Sequence, residues 1–193
     1  MNIIAAVCKN RGIGYKNQLP WKLKNEMQYF KKLTVGNGNN AVVMGKNTWL
    51  SLNDRPLKQR DNIIISNTMS SAIKHDNTYV LYNKEYSEPN LLEWKGMFKY
   101  DKIWIIGGES MYNRFINTNH IDKIFLTEID QEFECDTFFP HIPSNFKLLE
   151  ESNKINENNI SYKFKVYKNL KNKGEYELEN HKWCETHLHQ GLD

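Results

Sequence analysis

Short apolar runs alternate along the chain with stretches whose apolar positions recur at helical spacing. Strand-like runs fall at Ile3–Cys8, Ala41–Met44, Asn62–Ser66, Tyr79–Tyr82, Lys102–Ile106 and Ile121–Ile129. Ile160–Lys168 alternates in the manner of a late antiparallel strand. Continuous runs such as Ile103-Trp104-Ile105-Ile106 suit strands covered on both faces, as a mostly parallel sheet requires. Between them, Leu23, Met27, Phe30 and Leu33 make Lys22–Thr34 an amphipathic helix, and shorter helices are expected from near Lys46, within Glu88–Lys99 and after Gly108. Strands separated by helices predict an α/β domain with right-handed crossovers. Gly36-Asn37-Gly38-Asn39-Asn40 reads as a turn and Ser152–Asn159 as a polar loop or hairpin. The pattern ends near Leu170, which predicts one domain over residues 1–170 and a flexible appended tail over 171–193.

Composition narrows the class. At 193 residues the chain can bury a proper core, and 39% hydrophobic with 25% charged residues suits a globular protein. A net charge of +3, with lysines interleaved among acids, does not point to nucleic acid. Cys8, Cys135 and Cys184 are odd in number and widely spaced, so they form no disulfide framework and suit a reducing compartment. The apolar start, Ile3 to Cys8, stops at Lys9-Asn10-Arg11 and reads as a buried first strand rather than a leader. No stretch is long enough to span a bilayer, so a cytoplasmic protein without membrane contact is expected.

Four features carry chemistry. Glu26 lies three residues after Leu23 and four before Phe30, so it shares their apolar face. A carboxylate there is costly unless paired, although a partly exposed Glu at the edge of the stripe would look the same in sequence. Gly12-Ile13-Gly14 and Gly107-Gly108 each follow a strand; they let backbone approach a phosphate, or they are ordinary turns. Gly45-Lys46-Asn47-Thr48-Trp49 follows a buried strand and is either a phosphate-binding helix start or a plain one.

The arrangement is more specific than its parts. Gly12-Ile13-Gly14, Leu19-Pro20-Trp21 with Glu26 five residues on, Gly45–Trp49, Arg55-Pro56-Leu57-Lys58-Gln59-Arg60 before Asn62–Ser66, Ile106-Gly107-Gly108 and Asp136-Thr137-Phe138-Phe139-Pro140 come in one order across residues 3 to about 168. That order and spacing resemble the dihydrofolate reductase family. The resemblance implies that family's fold: a central mostly parallel β-sheet with an antiparallel C-terminal strand, flanked by helices. It also implies reduction of dihydrofolate, by hydride transfer from NADPH to pterin C6 and protonation of N5.

By the same resemblance, Glu26 binds the 2-amino group and N3 of the pterin, Thr127 braces that carboxylate and Trp21 holds a water. Ile4 and Ile106 contact the pterin edge through their backbones, with Ala5 beside them. Leu19, Met27, Phe30, Leu52 and Leu57 form an apolar slot, and Arg60 pairs with the α-carboxylate of the glutamate tail. Ala6, Ile13 and Gly14 are assigned to the nicotinamide end of the cofactor. Gly45, Lys46, Asn47, Thr48, Ile65, Ser66, Asn67, Ile106, Gly107, Gly108, Glu109, Ser110 and Met111 are assigned to the phosphates and adenosine, with Tyr112 near the nicotinamide. The Gly107–Gly108 peptide is implied to be cis. Lys46 and Ser66 favour the 2′-phosphate, while Asn67 stands where many relatives carry an Arg and Asn47 replaces a second Lys; Lys84 would compensate.

Antifolates are expected to compete for the slot, no metal is expected in it, and a monomer is expected. Two other readings were weighed: a binding protein on the same scaffold that has lost turnover, and a reductase of the same fold acting in flavin synthesis. Glu26 with Gly107-Gly108 argues against the first, and Leu19-Pro20-Trp21 with Arg60 against the second. His181, Cys184, His187 and His189 in the tail have zinc-like spacing but lack a second ligand pair, so a lightly docked extension is expected there.

Overall fold

The computed structural model describes residues 1–69, 75–81 and 99–171. The expected helix within Glu88–Lys99, Lys84 and the tail histidines lie outside the described residues, apart from Lys99 itself.

A nine-stranded sheet organises the domain. Its strands are β1 (Asn2–Val7), β3 (Asn40–Gly45), β4 (Asp61–Ile65), β5 (Thr78–Leu81), β6 (Lys102–Gly107), β7 (Lys123–Ile129), β9 (Phe146–Glu151), β10 (Ile155–Glu157) and β11 (Ile160–Asn169). Their order is β10-β11-β7-β1-β6-β3-β4-β5, with β9 also on β11. From β7 through β5 the neighbours run parallel, whereas β11 runs antiparallel to β7, β9 and β10. The expected sheet is therefore present, with strand ends moved by one or two residues.

Alternation along each strand sends side chains to two apolar layers. Ile3, Ala5, Val43, Ile63 and Ile105 face one layer, closed by Met111, Tyr112 and Phe115 of helix α3 (Glu109–Phe115). Ile4, Val42, Met44, Ile64 and Trp104 face the other. There they meet Trp49 of α2 (Lys46–Ser51) and Phe30 and Leu33 of α1 (Lys24–Val35).

Three elements, β2, β8 and β9, were not expected, whereas β10 realises the hairpin reading of Ser152–Asn159. β2 (Gly12–Gly14) and β8 (Thr137–Phe138) pair as a separate two-stranded sheet. β9 carries exposed Leu148 and Leu149, and β10 forms a hairpin with β11 across Asn158 and Asn159, both at positive φ. Helix α1 also departs from the simple stripe: Leu23 is its extended N-cap, and Glu26 and Thr34 are buried while Met27 is 49% exposed.

Fully buried asparagines staple the connections. Asn62 donates to the carbonyls of Leu57, Arg60 and Asn77 and accepts the Leu57 amide at 2.9 Å, which fixes the 57–60 loop against β4. Asn169 similarly donates to Ile121 and accepts from Asn145. Asn62→Ala would strand several backbone groups in a dry site, at a cost of roughly 2–4 kcal/mol. The urea unfolding midpoint should fall accordingly, with an unchanged slope.

Candidate active site

The parallel strands β1, β6, β3 and β4 end on one edge of the sheet, the position where open α/β sheets receive ligands. On one side of that edge stands Glu26, third residue of α1 and only 5% exposed. Its burial excludes the edge-of-stripe reading. Thr127, whose β7 residue pairs with Ala6 of β1, donates its hydroxyl to the Glu26 carboxylate. Burial raises the Glu26 carboxyl to about 7, the negative charge of Glu157 adds to the rise, and the Thr127 hydrogen bond opposes it.

Trp21 packs edge-on against Phe133, and its buried indole N–H has no partner among the described residues. Together with Glu26, Leu23, Leu19 and Met27 it lines an open cavity of about 410 Å³. Leu19 and Met27 are each 49% exposed because they wall this opening instead of entering the core. Ile4, Phe30, Leu52, Leu57 and Ile106 share one apolar cluster around Trp49 and Phe125.

Arg60 lies beside that cluster, 5.8 Å from the Phe30 ring centroid. It is buried, burial lowers its guanidinium to about 10, and its Nε has no partner. Among the described residues no carboxylate pairs with it. Its Nη1 donates to the Thr34 hydroxyl, which in turn donates to the Phe30 carbonyl at 2.7 Å. Thr34 was invisible as a functional residue in the sequence, because a Thr at the end of an amphipathic helix is unremarkable there.

The other side is built from glycine. Gly107 has φ 116°, and the Gly107–Gly108 peptide is cis, as the resemblance implied. A Cβ on Gly108 would stand 3.3 Å from Thr48 Oγ1, and one on Gly45 3.5 Å from Met111 Cγ. The ends of β3 and β6 thus press closely against α2 and α3, with Gly45 and Gly107 buried and Gly108 half-buried. Lys46 Nζ donates to Thr68 Oγ1 at 3.0 Å, which places the ammonium beside the loop that begins at Ser66 and Asn67. Asn47 and Ser110 are exposed on the same rim.

Several expected contacts need correction. The Ser66 hydroxyl accepts the Thr68 and Met69 amides at 3.2 Å, so it shapes its own loop before it can meet a phosphate. Ala5, Ile65 and Met111 turn their side chains into the core layer, which leaves only their backbones for a ligand. Tyr112 is buried too, and its hydroxyl donates to the Ile4 carbonyl at 2.9 Å. Gly12 and Gly14 do not form a phosphate turn. A Cβ on Gly12 would meet Cys135 Sγ at 2.2 Å, and one on Gly14 would meet Thr137 Oγ1 at 2.9 Å. Their role is close packing: Phe139 and Asp136 donate amides to the Arg11 and Gly14 carbonyls, and Glu109 accepts the Phe138 amide. The motif at 136–140 thereby holds the loop through Ile13 against α3.

A family model described as dihydrofolate reductase matches residues 1–169. The chain is similar to the viral dihydrofolate reductase of Saimiriine herpesvirus 2 (strain 488), 41% identical over 189 residues, covering 89% of this chain and 86% of that protein. It is also similar to the dihydrofolate reductase of Gallus gallus, 39% identical over 180 residues, covering 86% of this chain and 95% of that protein. With the dihydrofolate reductase of Aedes albopictus it is 33% identical over 180 residues, covering 88% of this chain and 97% of that protein.

Glu26 carries a stability consequence of its own. With its carboxyl raised to about 7, the folded protein keeps a proton that the unfolded chain releases at lower pH, so stability is lost as pH rises through that window. Glu26→Gln has no charge to desolvate. At about pH 8 it should therefore be more stable than the wild type by on the order of 1–3 kcal/mol, and the gap should close towards about pH 5. Chemical denaturation across that range checks this; a gap independent of pH would contradict it.

Proposed function

The chain belongs to the dihydrofolate reductase family, and from that premise we propose how its own residues perform the family's NADPH-dependent reduction of 7,8-dihydrofolate to 5,6,7,8-tetrahydrofolate. It is an oxidoreductase of one-carbon metabolism, serving nucleotide synthesis. The observation that carries the reading is the buried carboxylate of Glu26, with no salt-bridge partner among the described residues, facing an open cavity walled by Leu19, Trp21 and Met27.

The flat pterin enters between the walls formed by Leu19, Met27 and Phe30, with Leu52 and Leu57 further along. Glu26 accepts two parallel hydrogen bonds, from N3 and the 2-amino group, and Thr127 keeps its carboxylate in plane for them. A negative charge in this dry setting favours a proton on N5, which solvent supplies past Trp21. The free indole N–H of Trp21 suits a water at that point. Ile4 and Ile106 meet the pterin edge through their backbones, and the Tyr112 hydroxyl donates to the Ile4 carbonyl there. Arg60, oriented by Thr34 and short of an acidic partner, takes the α-carboxylate of the glutamate tail.

The half-buried Gly108 at the start of α3, with the Thr48 hydroxyl and the Lys46 ammonium on the same rim, fits the phosphates of a dinucleotide. When bound, NADPH supplies the hydride that reaches C6 of the pterin. Ala6, Ile13 and Gly14 hold the carboxamide end, and the β2–β8 sheet keeps that loop closed over the ring and shuts out water. Thr48, Glu109 and Ser110 flank the pyrophosphate, and Lys46 with the Ser66–Asn67 turn receives the 2′-phosphate. Antifolates with an aminopyrimidine edge would compete for Glu26. All these residues come from one chain, so a monomer suffices. The catalytic unit is assigned to residues 1–170, with 171–193 as an addition to it.

Dihydrofolate-dependent oxidation of NADPH tests the activity. Glu26→Gln should lose at least about tenfold in turnover near pH 7, roughly 1.4 kcal/mol of barrier, and recover partly in acid where the substrate arrives protonated. Glu26→Asp should be milder. A pH–rate profile of the Gln variant that tracks the wild type would refute the mechanism. Lys46→Ala should weaken NADPH binding by on the order of 1.5–3 kcal/mol while scarcely changing NADH binding. Equal losses for both cofactors would reduce Lys46 to a loop-holding role.

A further inference from the structure

Helix α1 starts without a capping side chain, because its N-cap residue is Leu23. The first amides of such a helix have no partner within it, and Glu26 stands just after them as its third residue. Glu157, from the end of β10, takes two of them. Its carboxylate accepts the Lys24 amide, and the Asn25 amide donates to its two oxygens at 3.1 and 3.4 Å. The buried Tyr162 hydroxyl donates to the same carboxylate at 3.1 Å, and the Asn158 side chain donates to the Lys22 carbonyl at 3.0 Å. The hairpin tip therefore grips the helix start on both sides of Leu23. An aromatic ladder continues the grip, with Phe164 of β11 stacked on Tyr29 of α1 at 3.9 Å and edge-on to Tyr162.

We infer that Glu157 is a positioning residue for the reductase reaction: by holding the Lys24 and Asn25 amides it fixes the helix turn that carries Glu26, and it stands beside Glu26 as a like charge. This rests on the role given to Glu26 above. The two electrostatic effects act in one direction. The positive end of the helix, which would favour an ionised Glu26, is already matched by Glu157, and the charge of Glu157 repels that of Glu26. The groups facing Glu26 are Thr127 on β7, Tyr112 on α3, Tyr29 on α1, Tyr162 on β11 and Glu157 on β10, with Lys22 and Lys24 lining the same cavity. Burial holds the three tyrosines neutral, so among the described residues Glu157 is the one ionised group coupled to Glu26.

The test uses Glu157→Gln, which keeps an oxygen for the helix amides and removes the charge. The Glu26 carboxyl is titrated by carbon NMR in glutamate-labelled full-length protein without ligands, with Glu26→Gln identifying its signal. The midpoint should fall by roughly 0.5–1 pH unit in Glu157→Gln, a shift that solvent screening of the half-buried Glu157 keeps modest. The free-enzyme inflection of kcat/KM against pH should move the same way. A midpoint that stays put in the folded variant, or one that moves while kcat/KM does not follow, overturns the inference. If the reading of Glu26 itself is wrong, Glu26→Gln will turn over like the wild type whatever the midpoint does. An inactive Glu26→Gln with an unmoved midpoint removes only the role of Glu157.

Discussion

A carboxylate buried on the inner face of a helix, with no salt-bridge partner among the described residues, is the constraint around which this domain is arranged. Desolvating an anion is costly, and the usual remedies are a salt bridge or a proton. Here Thr127 contributes one neutral hydrogen bond, Glu157 makes the electrostatics worse, and the result is a group that holds or releases its proton near neutrality. A Lys or Arg in place of Thr127 would ease the burial, and it would also claim the carboxylate for itself. A ligand that offers two N–H donors can then satisfy what the fold leaves open.

Arg60 repeats the same logic with opposite sign. It is buried, its Nε is unsatisfied, and its one side-chain partner is the neutral Thr34. A carboxylate supplied by the protein would stabilise the guanidinium, but it would also occupy the fork that recognises an anion. Under the proposed function, these two groups would meet a ligand with a donor edge for Glu26 and an acid for Arg60. The apolar walls between them contribute area without discriminating further.

How much of this could be read from the residues depended on whether the signal was local. The parallel strands were legible because Ile103-Trp104-Ile105 and Ala41-Val42-Val43-Met44 are apolar on both faces, which little else but a covered strand explains. β2 and β8, at three and two residues, are too short for any periodicity, and β9 exposes Leu148 and Leu149 as an edge strand does. Gly12 and Gly14 misled because a glycine spared for a thiol or a hydroxyl looks the same in sequence as one spared for a phosphate. Glu26 showed an anomalous position, but its burial and its neighbour could not be seen. Glu157 is 132 residues from Asn25, and only the β10–β11 register brings it to the helix start. Thr34 and Asn62 were missed for the same reason, since their partners lie on other elements.

Unsatisfied buried groups do not by themselves mark the site. Among the described residues Trp21 and Arg60 each leave a nitrogen unpaired, but so does Trp104, which is 1% exposed and packs edge-on against Phe125. Thr78 and Thr118 likewise bury a hydroxyl without a partner, Thr78 at the start of the outer strand β5 and Thr118 just beyond α3. What separates Trp21 and Arg60 is their surroundings. Trp21 borders the open cavity shared with Glu26, and Arg60 carries a full charge whose desolvation, unlike that of an indole N–H, is too large to leave unanswered. A lone neutral donor in the core costs a kilocalorie or two, about as much as a modest packing defect, and a stable domain tolerates it. A buried guanidinium and a buried carboxylate that are not paired with each other cost far more, which is why these two groups, and not the neutral donors, call for a functional explanation.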